Sequence, residues 1–173
     1  MIIFGVDPGT ATTGYGIIRH IKNKRSKIKN GIELIDYGCI VTSKNEEMPL
    51  RLYSIQKQLK GLLKQSKPDC VIVEQLFFGI NSRTAMTVGQ ARGVILSTAG
   101  GYRLPVFEYQ GLHVKYTLTG DGRADKKKIQ KSVMKYLGKR KLAKPVNGYL
   151  DDAADALAVA ICHVIKTQNA ISR

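Results

Sequence analysis

Cysteine is scarce in this 173-residue chain. Cys39, Cys70 and Cys162 stand in apolar contexts at unrelated spacings. That excludes a disulfide scaffold and a zinc site, and it fits buried thiols in a reducing cytoplasm. Histidine is as thin: His20, His113 and His163 are scattered, with no metal-ligand spacing. Long apolar runs are missing. No stretch reaches the roughly 18 residues of a bilayer span. The apolar run 1–6 ends at Asp7-Pro8 with no charged segment before it, so no secretory leader is expected. Repeats, Pro/Ser linkers and low-complexity tracts are absent as well, and one domain over 1–173 is the expectation. Apolar residues make up 43 %, which excludes wholesale disorder.

The scarcity with most consequence is that of acids. Thirteen Asp+Glu face 28 Lys+Arg, for a net charge of +15 and a pI near 9.9. Such an excess points to a polyanionic partner, either nucleic acid or an anionic membrane surface. Its distribution is uneven. Residues 19–29 hold six cations (Arg19, Lys22, Lys24, Arg25, Lys27, Lys29) and no anion. Residues 115–144 hold eleven cations against two anions. These two blocks carry the whole surplus, and the rest of the chain is neutral. Compositional drift would spread lysine evenly, whereas two blocks on a neutral body look like an electrostatic footprint.

Periodicity predicts an α/β fold. The apolar run 1–6 reads as a buried strand. Segments 14–21 and 31–42 read as two more, joined by the basic connection 22–30. Leu52, Ile55, Leu59, Leu62 and Leu63 recur at helical spacing, and Pro68-Asp69 ends that helix. Residues 70–73 form an apolar strand closed by Glu74. A helix over 83–99, a strand over 104–109, a helix over 125–137 and a last helix over 152–166 complete the order βββαβαβαα. Three leading strands followed by βα alternation predict a mixed five-stranded sheet with helices on its faces.

The few acids sit where core elements end. Asp7 closes the first strand, Glu74 closes the fourth, and Asp151, Asp152 and Asp155 open the last helix. A carboxylate at the end of a buried strand is partly desolvated, which is costly unless it is paired or metal-bound. If the first and fourth strands are neighbours, Asp7 and Glu74 emerge side by side. Asp152 and Asp155, three apart, share a helix face, as do Asp151 and Asp155, four apart. Four gathered carboxylates suit hard divalent cations, Mg²⁺ above all. Two such ions can activate water and stabilise the leaving oxygen of a phosphodiester. Residue types alone leave plainer roles open: an Asp opening a helix as N-cap or dipole partner, and Asp7 as a turn residue before Pro8-Gly9.

Four ordered blocks carry a family resemblance. Phe4-Gly5-Val6-Asp7-Pro8-Gly9 with Thr13-Gly14-Tyr15-Gly16 resembles the opening of the RuvC family of Holliday junction resolvases. Val73-Glu74-Gln75-Leu76-Phe77, followed by Gly89-Gln90-Ala91-Arg92-Gly93, resembles its second block. Pro105-Val106-Phe107-Glu108-Tyr109 with Val114-Lys115 resembles the third. Asp152-Ala153-Ala154-Asp155-Ala156-Leu157-Ala158 resembles the last. The resemblance covers nearly the whole chain. It implies a ribonuclease-H-like fold and an endonuclease, acting as a homodimer, that makes paired symmetric nicks in four-way junction DNA. Recombination and repair, and a branch-migration complex of the RuvA/RuvB kind, belong to the same expectation.

The site residues implied by the resemblance are Asp7, Glu74, Asp152 and Asp155, catalytic and metal-holding, with two Mg²⁺ per site and Mn²⁺ as a substitute. It favours Asp152 over Asp151, a choice that spacing leaves open. Phe77 is expected to stack on a base, with Phe78 beside it. Lys115 and Lys126 match basic positions near the family's active site. Lys127, Lys128 and Arg83 join them as expected DNA contacts, and Lys131, Lys135, Lys139, Arg140 and Lys141 as contacts to the junction arms. Gly9 and Gly14 are expected either to let backbone approach DNA or to turn tightly beside Asp7. The chain departs from the pattern in its basic 22–30 segment and in the extra acid Asp151. Competing readings are a related metal-dependent nuclease acting on other branched DNA or RNA, a non-enzymatic junction or RNA binder, and an actin-like ATPase. The binder gains nothing from four gathered acids, and the ATPase needs two lobes.

Overall fold

A computed structural model describes residues 1–21, 28–75 and 82–171. The element order is β1 (Ile2–Asp7), β2 (Thr12–His20), a 3₁₀ turn (Lys29–Gly31), β3 (Ile32–Val41), α1 (Met48–Ser66), β4 (Cys70–Gln75), α2 (Ser82–Gly101), β5 (Val106–Gln110), α3 (Gly111–Thr119), α4 (Lys126–Leu137) and α5 (Leu150–Ile171). The five strands form one mixed sheet in the order β3-β2-β1-β4-β5. The first three strands run antiparallel, while β4 and β5 lie parallel to β1. This is the ribonuclease-H-like arrangement.

Helices cover both faces, which explains why β1 and β4 read as continuous apolar runs rather than as alternating ones. Phe4, Val6, Val71 and Val73 point to the α1/α2 side, where they meet Ile55, Leu59, Leu63 and Ile95. Ile3, Cys70 and Ile72 point to the other side, where they meet Ile161, Val133 and Leu118 from α5, α4 and α3. α5 lies between the sheet and the outer helices, so Ala153, Ala154 and every residue from Ala156 to Val164 is buried. Its alanines let three layers approach closely. α4 lies outside it and is amphipathic: Ile129, Val133 and Leu137 are buried, and Gly138 ends the helix in the left-handed region. The Asp125 side chain caps its first turn by accepting from the Lys128 N–H at 2.7 Å.

The structure corrects the expected order in one place. A further helix, α3, follows β5 directly, giving five α-helices among the described residues where periodicity predicted four. Its sequence, GLHVKYTLT, is short, opens on glycine and is rich in β-branched residues, so the helical signal is faint. Tertiary packing of Val114 and Leu118 against α5 overrides that preference. The three free cysteines fit their expected role: Cys70 and Cys162 are buried and Cys39 is partly so. Among the described residues, no helix is long and apolar enough to cross a membrane.

Candidate active site

Strand geometry places the first two acids. Side chains alternate faces with period two, so Ile3, Gly5 and Asp7 share the α5 face of β1, and Cys70, Ile72 and Glu74 share it on β4. The register pairs Gly5 with Ile72 and Val6 with Val73, one step before Asp7 and Glu74. The two carboxylates therefore leave adjacent parallel strands on the same side.

Glycines bring α5 to meet them. A Cβ on Gly5 would run into the Ala156 carbonyl oxygen, one on Gly14 into that of Asp152, and one on Gly16 into the Leu157 side chain. Gly14 is the β2 partner of Asp7. It lies inside β2 rather than in a tight turn, and it makes room for the first turn of α5, which sets Asp152 and Asp155 over Asp7. Gly9 does serve a tight turn, since a side chain there would collide with the Thr12 carbonyl. Thr13 Oγ1 donates to the Gly9 carbonyl at 2.6 Å, and Thr42 Oγ1 to that of Thr10 at 2.5 Å, which pins the loop after Asp7.

The electrostatics show how tightly the acids are gathered. Burial, followed by repulsion from Glu74, Asp155 and Asp152, pushes the Asp7 carboxyl up to about 8. Burial and Asp155 raise Glu74 to about 7. Burial raises Asp155 to about 6, with Lys126 opposing and Asp151 and Asp152 assisting. Asp152 is raised too, mainly by burial. Among the described residues, no three acidic, His or Cys side chains already stand as a closed metal-holding group. The donor set, carboxylate oxygens alone, fits a hard divalent cation.

Cations rim this acidic centre. Lys115 on α3 lines one cleft of about 250 Å³ with Asp7, Glu74 and Gly111, and a second of about 150 Å³ with Glu74, Asp155 and Lys126. Gly111, the first residue of α3, lies so close to the Glu74 carboxylate that a Cβ would meet Oε1. Lys126 opens α4, and its field lowers the pKa of Asp7, Asp152 and Asp155. Asp151 lies in the first turn of α5 rather than at its cap, and turns to α4, accepting from Lys126 Nζ at 3.3 Å and Gln130 Nε2 at 2.6 Å.

The remaining expected contacts separate. Lys127, Lys131 and Lys135 recur along the exposed side of α4. Lys128 Nζ is paired with Asp121 Oδ2 at 2.9 Å. Lys139, Arg140 and Lys141 follow the end of α4, exposed. Phe77 and Phe78 lie outside the described residues, as does most of the basic connection, at 22–27; Arg83 lies in α2, its side chain outside the description. Sequence reasoning missed Gly111 and Gln130. A glycine directly after a strand was the available signal for the first. The second shows only once α4 and α5 are packed together.

A mixed sheet of this order that delivers acids from its two central strands and from the helix across them, inside a cationic rim, defines a ribonuclease-H-like nuclease. The family model described as "Crossover junction endodeoxyribonuclease RuvC" matches residues 3–163. A protein of that name from Syntrophomonas wolfei is 51 % identical over 164 residues, covering 95 % of this chain and 88 % of its own. Another from Caldicellulosiruptor saccharolyticus is 44 % identical over 173 residues, covering 99 % and 96 %. The solved structure of Thermus thermophilus RuvC in complex with Holliday junction substrate superposes with a TM-score of 0.84 at 29 % identity, covering 98 % of this chain and 96 % of that one. The chain belongs to the crossover junction endodeoxyribonuclease RuvC family, a family of metal-dependent nucleases, and is an endonuclease that hydrolyses phosphodiester bonds.

Proposed function

We propose that this chain is a Holliday junction resolvase of recombination and repair, making paired symmetric nicks in four-way DNA junctions with Asp7, Glu74, Asp152 and Asp155 as its catalytic, metal-holding residues. The observation that carries the reading is the convergence of four desolvated carboxylates from β1, β4 and α5 beside the cations Lys115 and Lys126 of the basic block 115–144. A pure DNA binder would be weakened by such a cluster.

Two Mg²⁺ ions, with Mn²⁺ as a substitute, would supply charge neutralisation, an activated water and stabilisation of the departing 3′ oxygen. The chain's own residues do the rest. Asp7 on the central strand, Glu74 on β4 and the Asp152/Asp155 pair on α5 would be the residues that hold these ions. The same burial that raises their pKa values excludes bulk water and strengthens each interaction made there. Lys115 and Lys126 stand at the rim to hold phosphate oxygens. The lysines of α4 neutralise arm phosphates without reading sequence, and Phe77 is assigned to stacking at the junction. A two-fold substrate is matched by a homodimer of this single-domain chain, working in the cytoplasm alongside a RuvA/RuvB-type branch-migration complex.

The test is cleavage of a mobile four-way junction, other branched DNA, a matched linear duplex and an RNA–DNA hybrid, each with and without Mg²⁺. Paired symmetric nicks in the four-way junction alone, dependent on Mg²⁺, are expected. Equal cleavage of the hybrid or of other branches would overturn the assignment in favour of a broader nuclease.

A further inference from the structure

Asp151 adjoins the acidic cluster but faces away from it. Its Oδ1 accepts from Gln130 Nε2 at 2.6 Å and its Oδ2 from Lys126 Nζ at 3.3 Å. Lys126 and Gln130 are four residues apart on α4, so one carboxylate on α5 receives two groups from the same helix face. The Gln130 bond is partly buried and fixes the orientation of the carboxylate, presenting the second oxygen to the ammonium.

Lys126 needs such a restraint. Its flexible stem and compact charge would carry it toward a strong negative potential within reach. The cluster is one such potential beside Asp151, since the field of Lys126 is felt at Asp7, Asp152 and Asp155. An ammonium settled among those acids would occupy the space and countercharge that a divalent cation requires. In the structure, the ion pair of Lys126 is with Asp151 instead.

We infer that Asp151, locked by Gln130, is a positioning residue that holds the Lys126 ammonium at the rim of the Asp7–Glu74–Asp152–Asp155 cluster, which leaves the acids open to divalent cations and the amine free to meet a phosphate oxygen. The inference rests on the functional reading above. The pair is substantially exposed, with side-chain exposures of 67 % for Lys126 and 42 % for Asp151. It therefore adds little to the stability of the fold, and its removal tests positioning rather than folding.

A double-mutant cycle of D151N and K126Q decides the matter, read by calorimetric binding of Ca²⁺ and by Mg²⁺-dependent junction cleavage. In the otherwise native chain, D151N should weaken Ca²⁺ binding and raise the Mg²⁺ half-saturation point by about fivefold, the upper range for an exposed ion pair. In the K126Q background the same substitution should cost no more than about twofold, the direct effect of one lost charge. D151E, which keeps the charge and an acceptor, should restore binding. Equal losses from D151N in both backgrounds would overturn the inference, leaving Asp151 as one more diffuse negative charge. If the native chain binds Ca²⁺ but nicks no four-way junction, the resolvase reading fails, while the calorimetric cycle still decides the role of Asp151.

Discussion

Gly14→Ala probes how the site is assembled without touching any of its acids. Gly14 is fixed in β2 between β1 and β3, paired with Asp7 on one side and Cys39 on the other. The added methyl would overlap the Asp152 carbonyl oxygen and crowd the Ala153 N–H. Both contacts are backbone atoms, so no side chain can swing away to relieve them. The strand is held by ladders on both edges, and the first turn of α5 must yield. Overpacking of this kind costs about 1–3 kcal/mol, or a fall in Tm of about 2–12 °C for a chain of this size. The larger effect is on catalysis. A displacement of Asp152 and Asp155 by about 1 Å should lower the cleavage rate about a hundredfold. Thermal unfolding together with single-turnover junction cleavage in saturating Mg²⁺ reads both. Gly61→Ala is the control. That glycine is inside α1, and apart from its chain neighbours and the adjacent turns of its own helix backbone no atom lies within 4 Å of the place an added methyl would take. Alanine there should raise stability by about 0.5–1 kcal/mol and leave cleavage unchanged. A Gly14→Ala protein with native Tm and native rate would refute the claim that this close approach sets the geometry of the acids.

Further outcomes follow from the same geometry. Asp7→Asn should retain junction binding in Ca²⁺ by gel shift and lose cleavage in Mg²⁺; cleavage at the native rate would remove Asp7 from the catalytic set. In the metal-free protein, Asp7, Glu74 and Asp155 have folded pKa values of about 8, 7 and 6, against ordinary values of 3.8, 4.5 and 3.8. The folded state thus holds more protons than the unfolded chain between about pH 4 and 8, and stability must fall as pH rises through that window. Urea unfolding at pH 5 and pH 8 in chelator reads the sign. Ca²⁺ affinity should move the opposite way, rising from pH 6 to 8 as the acids ionise, because cation binding releases protons. Replacing Lys127, Lys131 and Lys135 by Gln should flatten the dependence of log K for junction binding on log salt by about 1–3 units, at about 0.9 per phosphate contact. An unchanged slope would remove the exposed side of α4 from the DNA footprint.

Much of this protein is legible from residue order alone. The strands β1 and β4 and the helix α5 announce themselves as apolar runs, and an acid at each boundary marks where a site can form, because burying a carboxylate is tolerated only for a purpose. The two basic blocks likewise need no coordinates. Local sequence could not reveal α3, since its helical preference is weak and packing against α5 decides it. Nor could it assign Gly14 or Gly111, whose meaning lies in what stands opposite them: the Asp152 carbonyl for one, the Glu74 carboxylate for the other. Asp151 is the sharpest case. Spacing left it interchangeable with Asp152, and only the packing of α4 against α5 turns one acid toward the cluster and its neighbour toward Lys126 and Gln130. Periodicity is a property of the chain itself and survives without a partner. The direction in which a side chain finds its countercharge depends on a second element, and that is settled only when the layers come together.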